Sequence, residues 1–207
     1  MKLLWLLVFL AGCSTAPHYY PTVQERQVSL RKGDLEAAAI GFITPSTVTG
    51  QEQEKEAVAL TFADVLKRQR PAVKVVTLAE TLGAVNRAQL ADEYRHMYEH
   101  YRDTGLFPDE VLRRVGQAAG ARYLVQLKLQ GFSQGAKTRF GLLGLRLVET
   151  QYADVRLFVQ IWDSRDGSIA WEAMEELRIS LDTTREEPVM LRRLLERSAS
   201  DLVARLP

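Results

Sequence analysis

A stretch of alternating residues between 121 and 132 limits the possible folds of this chain more than any other feature. Apolar side chains from Tyr123 to Leu129 alternate with a second set that includes Gln126 and Lys128. This period of two is typical of a β-strand that buries one face and leaves the other partly polar. The chain is therefore expected to contain a half-buried sheet.

The strand pattern returns twice further along the chain. Residues 153–162 and 169–180 each keep apolar side chains on one parity. The segment Asp163–Gly167 joins them, and its Asp and Gly suit the bends and the positive φ of a short hairpin loop. The three runs predict an antiparallel meander. Trp162 and Trp171 flank its hairpin and are expected to pack as an aromatic pair.

A strand, a helix and a second strand are predicted upstream of the meander. Residues 37–43 form a continuous apolar run that ends at Thr44 and Pro45, which is typical of a central strand. Residues 52–69 repeat apolar side chains at helical spacing, and residues 73–77 are again short, apolar and β-branched. This order predicts a βαβ unit with a right-handed crossover.

Three further helical regions complete the expected architecture. Residues 78–101 are helical in composition and are expected to break near Gly83. The next helix opens at Pro108, with acids in its first turn, and ends at Gly120. Residues 191–202 predict an amphipathic C-terminal helix. The expected fold class is α/β, with a mixed sheet, built from the βαβ unit and the antiparallel meander, flanked by helices in a three-layer sandwich.

The N-terminus predicts export and lipidation. Lys2 precedes an apolar run from Leu3 to Leu10, and small residues then lead to Cys13, the only cysteine. These features are typical of a secretory signal peptide that is too short to span a bilayer. The Leu-Ala-Gly-Cys box predicts a lipoprotein signal peptide over 1–12, with Cys13 carrying acyl chains such as palmitate and anchoring the protein to a membrane. An ordinary signal peptide with a chance cysteine is the alternative.

The remaining chain is expected to be one anchored domain. Residues 13–34 contain several polar residues and two prolines, which predicts a flexible tether, and residues 35–207 are long enough for a single α/β domain. Only Lys2 among the 27 basic residues lies in the signal, so the rest carries 26 basic and 26 acidic side chains. A neutral surface gives no reason to expect nucleic acid as a partner. Ser14 after the Cys is compatible with an outer-membrane, periplasm-facing location.

Residues 135–151 form a long connection between two predicted strands. Cations bracket an apolar stretch there, and the candidate interaction residues are Arg139, Phe140, Leu142, Leu143, Leu145, Arg146 and Leu147. One interpretation is a long hairpin whose tip packs on the domain. The other is an element that binds a partner, forms a homo-oligomer or touches a membrane, because clustered exposed apolar residues usually mark an interaction.

One short pattern resembles a catalytic motif. His96, Glu99 and His100 fit the inverted zincin pattern, in which two His at i and i+4 bind zinc and the Glu acts as base. A third ligand would have to come from the glutamates at 172, 175 or 176. Solvated His residues on a charged helix explain the pattern equally simply. We therefore expect no catalytic residue, no cofactor and no resident metal.

The order of elements resembles a known superfamily. The segments that carry the resemblance are Gly120–Leu127 after a helix, and Leu157–Asp163 leading through Asp166 and Gly167 to Ile169–Glu172. They are similar to the periplasmic lipoproteins that include the curli secretion-channel protein, the penicillin-binding-protein activator LpoB and the N-terminal domain of TolB. The resemblance covers roughly residues 35–205. It implies an α/β sandwich that acts as a binding or assembly module of the cell envelope and has no active site.

The sequence thus supports three functional hypotheses. The first is a non-enzymatic lipoprotein, anchored in the outer membrane, that binds an envelope protein and serves a cell-envelope machine. The second is an oligomeric secretion-channel component similar to the curli protein, although 135–151 is the single candidate here where that protein has paired membrane hairpins. The third is a small zinc hydrolase that uses His96, Glu99 and His100.

Overall fold

The structure is a computed structural model that describes residues 16–47, 52–142, 145–183 and 191–207. These residues contain seven strands and six helices. The strands are β1 (His18–Gln27), β2 (Ile40–Phe42), β3 (Ser46–Thr47), β4 (Val75–Val76), β5 (Tyr123–Leu142), β6 (Leu145–Asp163) and β7 (Ser168–Thr183). The helices are α1 (Asp34–Ala37), α2 (Glu52–Gln69), α3 (Leu78–Arg87), α4 (Ala91–Thr104), α5 (Asp109–Ala119) and α6 (Leu191–Val203).

The strands form one mixed sheet, as predicted. Their order is β1-β7-β6-β5-β2-β4, and β3 also pairs with β5. Consecutive antiparallel pairing of β5, β6 and β7 confirms the meander. Parallel pairing of β2 with β4 confirms the strand-helix-strand unit around α2, although both strands are shorter than predicted. Residue 37 already ends helix α1, so the apolar run 37–43 supplies only the three strand residues Ile40–Phe42.

Helices α2 and α6 cover the first face of the sheet. Val125 and the residues that share its parity pack against Phe62 and Leu66 of α2 and against Leu194 and Leu202 of α6. All of these side chains are buried, with exposed fractions of 3% or less. Removing this apolar surface from water is the main force that holds the layer on the sheet.

Helices α3, α4 and α5 cover part of the second face. A separate buried cluster joins Leu124 and Trp162 of the sheet to Val85 of α3, Met97 of α4 and Leu112 of α5. Because helices lie on both faces, the predicted three-layer arrangement is confirmed.

The break between α3 and α4 is not where the sequence predicted it. Gly83 lies inside α3, and the chain turns at Gln89, which has a positive φ of 57°. Helix α3 begins with a capping box in which the Glu80 backbone N–H donates to Thr77 Oγ1 at 3.3 Å and the Thr77 backbone N–H donates to Glu80 Oε2 at 2.7 Å. This cap fixes the start of the helix, and a single Gly in the interior lowers helix stability only modestly.

The prediction of a flexible tether over 13–34 is wrong from residue 18 onward. Residues 18–27 form the edge strand β1, which pairs antiparallel with β7 from His18 opposite Ser180 to Gln27 opposite Trp171. Leu30 follows the strand and is fully buried. The pairing partner β7, 144 to 162 residues away along the chain, determines this structure, and no local sequence pattern predicts it.

The predicted pairing of Trp162 with Trp171 is also wrong. A register shift places Trp171 opposite Ile161 and Trp162 opposite Ile169, so one extra residue, Ala170, stands in β7. Such a β-bulge reverses the parity of the residues beyond it. The two indoles consequently lie in separate clusters on opposite faces of the sheet.

A carboxylate with two arginines closes the β6–β7 hairpin. Asp163 Oδ2 accepts hydrogen bonds from Arg122 Nη2 at 2.8 Å and from Arg165 Nη2 at 2.9 Å. Burial alone would raise the pKa of Asp163, but the hydrogen bonds from Arg122 and Arg165 outweigh it and lower the pKa to about 2. The ionised carboxylate therefore links the start of β5 to the hairpin turn.

We expect Asp163→Asn to lower the free energy of unfolding at pH 7 by about 2 kcal/mol, because the pKa of Asp163 is about 2 in the folded protein and 3.8 in the unfolded chain. A depressed carboxyl pKa stabilises the fold above the unfolded value of 3.8, and this contribution disappears as the pH falls through about 2. Urea unfolding at pH 7 measures the loss. The exposed Asp64 on α2 provides the control, since Asp64→Asn should change stability by less than about 0.5 kcal/mol. Equal effects of the two substitutions would contradict the prediction.

Candidate functional site

The second face of the sheet is covered at one end and open at the other. Leu124 and Trp162 lie under the helices α3 to α5. On the same face of β6 and β7, further from these helices, Tyr152, Arg156 and Glu176 are exposed. Four long strands, β1, β7, β6 and β5, therefore present an uncovered surface beyond the helical layer.

Three tyrosines of α4 mark the border between the covered and the open part. Tyr94 and Tyr98 hold the backbone of Thr44: the Thr44 N–H donates to Tyr94 Oη at 2.9 Å, and Tyr98 Oη donates to the Thr44 carbonyl at 2.9 Å. Tyr101 Oη donates to Gln160 Oε1 at 3.0 Å. Burial raises the pKa of all three phenols, so they stay protonated and keep the hydrogen bonds that fasten α4 to the sheet.

Buried amides of the sheet complete this border. Gln126 is fully buried, and its Nε2 donates to Ser46 Oγ at 3.1 Å. Gln160 Nε2 donates to Glu172 Oε2 at 3.2 Å. Because these amides are hydrogen-bonded, they are satisfied parts of the structure. The border therefore holds the helical layer in place.

An open groove of about 700 Å³ lies on the uncovered face. Its size falls in the range of sites that bind small molecules or peptide side chains. The residues that line it come from β1, β5, β6 and β7: Tyr20, Thr22, Gln130, Gly131, Phe132, Ser133, Asp154, Val155, Arg156, Glu176, Leu177 and Arg178. The candidate functional site is this groove.

Among the described charges in the groove, two form an ion pair and two, Asp154 and Arg178, form none. Arg156 forms an ion pair with Glu176 across β6 and β7. Ser133 donates a hydrogen bond to Asp154 across β5 and β6. Arg178 is exposed and makes no ion pair within the described part of the chain. A guanidinium in this state is available for a carboxylate or another planar anion.

Two exposed tyrosines lie on the uncovered face, Tyr20 in the lining of the groove and Tyr152 outside it. Tyr20 of β1 exposes 57% of its surface and Tyr152 of β6 exposes 46%. A Cβ on Gly135 would lie 2.5 Å from Tyr152 Oη, so the phenol lies across a position that only glycine leaves free. Exposed tyrosines are typical of binding surfaces, because they offer contact area at a small cost in conformational entropy.

The groove and the buried Glu175 were missed by the sequence prediction. The lining residues Thr22, Arg156, Glu176 and Arg178 come from three strands, and their alternation with apolar neighbours on β6 and β7 indicated only the solvent side of a sheet. The structure adds β1, which brings Tyr20 beside Arg178 in the register.

The zincin-like residues do not form a metal site in the described part of the chain. His96 Nε2 lies 3.8 Å from Glu99 Oε2 on the exposed side of α4. His100 Nδ1 lies instead 2.8 Å from the Leu106 carbonyl oxygen. The fully buried Glu175 faces α6 on the other side of the sheet. Among the described residues, no three His, Cys, Asp or Glu side chains could hold a metal ion together.

The connection 135–151 is an extension of two strands. Residues 136–142 of β5 pair antiparallel with residues 145–151 of β6, up to Leu142 opposite Leu145. We call these paired segments the ribbon. The candidate interaction residues Phe140, Leu142, Leu145 and Arg146 are paired in its backbone ladder, and Arg139 and Leu147 stand at register shifts. Leu143 lies outside the described residues. The ribbon's role in interaction stays a prediction.

The predicted signal and lipidation site also lie outside the described residues, which begin at residue 16. Strand β1 begins at His18, five positions after Cys13. None of the described helices is long and apolar enough to cross a membrane. Lipidation of Cys13 stays a prediction.

The fold is similar in outline to several solved bacterial structures. A PelC dodecamer from Paraburkholderia phytofirmans matches 90% of this chain and 94% of that chain, with 14% identity and a TM-score of 0.47. Lipoprotein GNA1162 from Neisseria meningitidis matches 81% and 96%, with 14% identity and a TM-score of 0.41. The rare lipoprotein B from Shewanella oneidensis matches 80% and 89%, with 13% identity and a TM-score of 0.34. No family model and no curated protein matches the chain. Similarities at this level concern the course of the backbone and carry no argument about function.

Proposed function

We propose that this chain is a non-enzymatic lipoprotein of the outer membrane that faces the periplasm and binds a protein of a cell-envelope machine. The observation that carries the proposal is the groove on the uncovered sheet face, where Arg178 forms no ion pair among the described residues and Tyr20 is exposed. Aromatic residues and arginines are the side chains most enriched in protein interfaces and among their energetic hot spots.

The groove fits an extended segment of a partner protein. It runs across the strands from Ser133 of β5 to Tyr20 of β1 and is open to solvent. A carboxylate of the partner would pair with Arg178, and an apolar side chain would pack on Tyr20. The paired charges of Arg156 and Glu176 would leave the rest of the surface neutral and so favour a precise charge match over strong electrostatic attraction.

The proposed location in the cell rests on the N-terminal sequence. A charged start, a short apolar run and the box that ends at Cys13 direct a chain to export and acylation. More than one acyl chain on Cys13 would hold the domain at the membrane surface permanently. A tethered domain meets envelope partners at high effective concentration, so even a groove of moderate affinity is sufficient for binding.

The test is purification of the native lipoprotein from its own membranes in mild detergent, beside an Arg178→Glu variant. We expect a defined envelope protein to copurify with the native chain and the variant to retain at least tenfold less of it, because a reversed charge opposite a carboxylate costs about 2 kcal/mol or more. Mass spectrometry of the N-terminal peptide reports in the same samples whether Cys13 carries acyl chains.

Arg113 on α5 provides a matched control, since it is exposed and lies outside the groove. Arg113→Glu makes the same change of charge and should leave copurification unchanged. Equal recovery of the partner with both variants would exclude the groove as the binding surface. An unmodified Cys13 would refute the lipoprotein assignment separately.

A further inference from the structure

We propose that the ribbon contacts the surface of the membrane that holds the lipid anchor. This inference rests on the proposed lipidation of Cys13 and adds a second membrane contact, at residues 136–142 and 145–151. It assigns the apolar ribbon segment to a lipid surface and not to a protein partner.

The strand register places the anchor and the ribbon at the same end of the sheet. His18, where β1 begins, lies opposite Ser180 of β7, which lies opposite Tyr152 of β6, which in turn lies opposite Gly135 of β5. Strand β1 runs away from this level, so the chain toward Cys13 leaves the sheet there. Strands β5 and β6 continue past the same level as the ribbon.

The segment from Cys13 to His18 and the ribbon have similar lengths. Five residues from Cys13 to His18 reach at most about 18 Å when fully extended. From Gly135 to Leu142 the ribbon advances seven residues, or about 24 Å at the usual strand rise. The opposite end of β1 at Gln27 is about 30 Å from His18, beyond the reach of the tether. An anchor at Cys13 therefore brings the ribbon end, and not the other end, to the bilayer.

The composition of this end suits the boundary between lipid and water. The ribbon segment carries Phe140 and Leu142 on one strand and Leu145 and Leu147 on the other. Lys137 and Arg139 precede these residues, and Arg146 lies between Leu145 and Leu147. Apolar residues flanked by Lys and Arg are typical of segments that enter the headgroup region of anionic membranes.

Exposed aromatic rings lie in the sheet next to the beginning of the ribbon, which β7 accompanies as far as Thr183 opposite Glu149. Tyr20 and Tyr152 are exposed on one face, and Phe132 exposes 37% of its surface on the other. Tyrosine is enriched at the height of the lipid headgroups, where its ring is partly apolar and its hydroxyl is hydrated. The seven residues of each ribbon strand are fewer than the 9 to 11 or so that a membrane-crossing strand needs, so the proposed contact is superficial.

The test measures the depth of the ribbon in the processed, full-length lipoprotein. The variant Leu145→Cys, labelled with an environment-sensitive fluorophore, is reconstituted into vesicles of phosphatidylethanolamine and phosphatidylglycerol. Acylation blocks the thiol of Cys13, so the label occupies only the introduced cysteine. We expect a blue shift of the emission and a loss of fluorescence when brominated phospholipid replaces part of the lipid.

Lys74→Cys is the matched control, because Lys74 is exposed and precedes β4 at the opposite end of the sheet. Its label should remain in water and unquenched. Leu142→Cys tests the facing strand and keeps the experiment decisive if Leu145→Cys misfolds. Quenching of the label at Leu145 or Leu142, which we call the tip label, supports the proposal. A tip label that is as exposed to water as the Lys74 label overturns it.

Flotation of the same samples separates the two claims. If the protein floats with the vesicles and Cys13 is acylated while the tip label stays aqueous, the ribbon contact is wrong and the anchor stands. If the protein neither floats nor carries lipid, the proposed function has failed and the ribbon contact falls with it.

Discussion

Replacement of Glu175 by Gln is expected to raise the free energy of unfolding at pH 8 by about 3 kcal/mol. The Glu175 side chain is fully buried between β7 and α6, and neither carboxyl oxygen has a hydrogen-bond partner within the described part of the chain. Burial raises its pKa from 4.5 to about 7. A shift of this size corresponds to roughly 3 kcal/mol that the ionised form costs the folded state.

The neighbours of Glu175 do not offset this cost. Ser198 of α6 lies close enough to lower the pKa, but the carboxylate of Asp201 raises it again. Arg197 is engaged elsewhere, since its Nε donates to Asp201 Oδ2 at 2.8 Å and its guanidinium lies 5.0 Å from the Tyr19 ring centroid. A neutral amide in place of the carboxyl removes the charge and keeps the shape.

The gain should depend on pH in a defined direction. Between pH 4.5 and about 7 the folded protein holds a proton on Glu175 that the unfolded chain has lost, so native stability falls as the pH rises through this window. Urea unfolding measures this dependence. The free energies of unfolding of Glu175→Gln and the native protein should be nearly equal at pH 4 and should differ by the full amount at pH 8.

Glu176 provides the control for this experiment. It is the next residue of β7, but it is exposed and pairs with Arg156 on the other face of the sheet. Glu176→Gln should change stability by less than about 1 kcal/mol at either pH, as is usual for a surface ion pair. A destabilised Glu175→Gln variant at pH 8 would contradict the assignment of a buried, costly carboxylate.

Local patterns in the sequence predicted the elements whose own residues determine them. The period of two around Tyr123 predicted β5, and helical spacing predicted α2 over Glu52–Gln69 with its observed ends. Pro108 and Gly120 bracketed α5 correctly, because a left-handed residue such as Gly120, with φ of 64°, ends a helix. These signals act over a few residues and need no knowledge of the tertiary structure.

Long-range pairing accounts for what the sequence did not reveal. Most side chains of β1 are exposed, so residues 18–27 show little alternation and become a strand only by pairing with β7. One extra residue at Ala170 shifts Ile169 to the face opposite Trp171, although both share one sequence parity. The inward position of Glu175 follows the parity of Trp171 and Leu177, and this was the one available signal of a buried carboxyl.

The groove was harder to predict from the sequence than the strands were, because its residues come from several segments of the chain. Arg156 and Arg178 look like ordinary solvent-facing positions of two strands. They form a site only because α4 ends short of them and β1 adds Tyr20 at the edge. A sequence pattern reports which face of a strand is polar, whereas the cover over that face depends on the packing of distant helices.

The largest loss of stability is expected from Trp162→Ala, at about 3 to 5 kcal/mol. Trp162 is 1% exposed and lies where the α3–α5 layer meets the sheet, with its ring centroid 5.1 Å from that of Phe107. Tyr101 stacks on Phe107 at 4.3 Å, so the indole supports a continuous aromatic cluster. Its deletion leaves a cavity in that cluster, which urea unfolding measures as a lower midpoint.

The helices in which amide exchange accelerates identify the cause of the lost stability. Loss of Trp162 should accelerate amide hydrogen exchange in α4 and α5, which rest on the aromatic cluster, before it affects α2 and α6 on the other face. Trp162→Phe is the matched variant, because it keeps a ring against Phe107 and removes an indole N–H that has no hydrogen-bond partner among the described residues. It should cost well under half as much as Trp162→Ala. Equal losses for the two variants, or uniform exchange in all helices, would show that Trp162 does not hold this helical layer on the sheet.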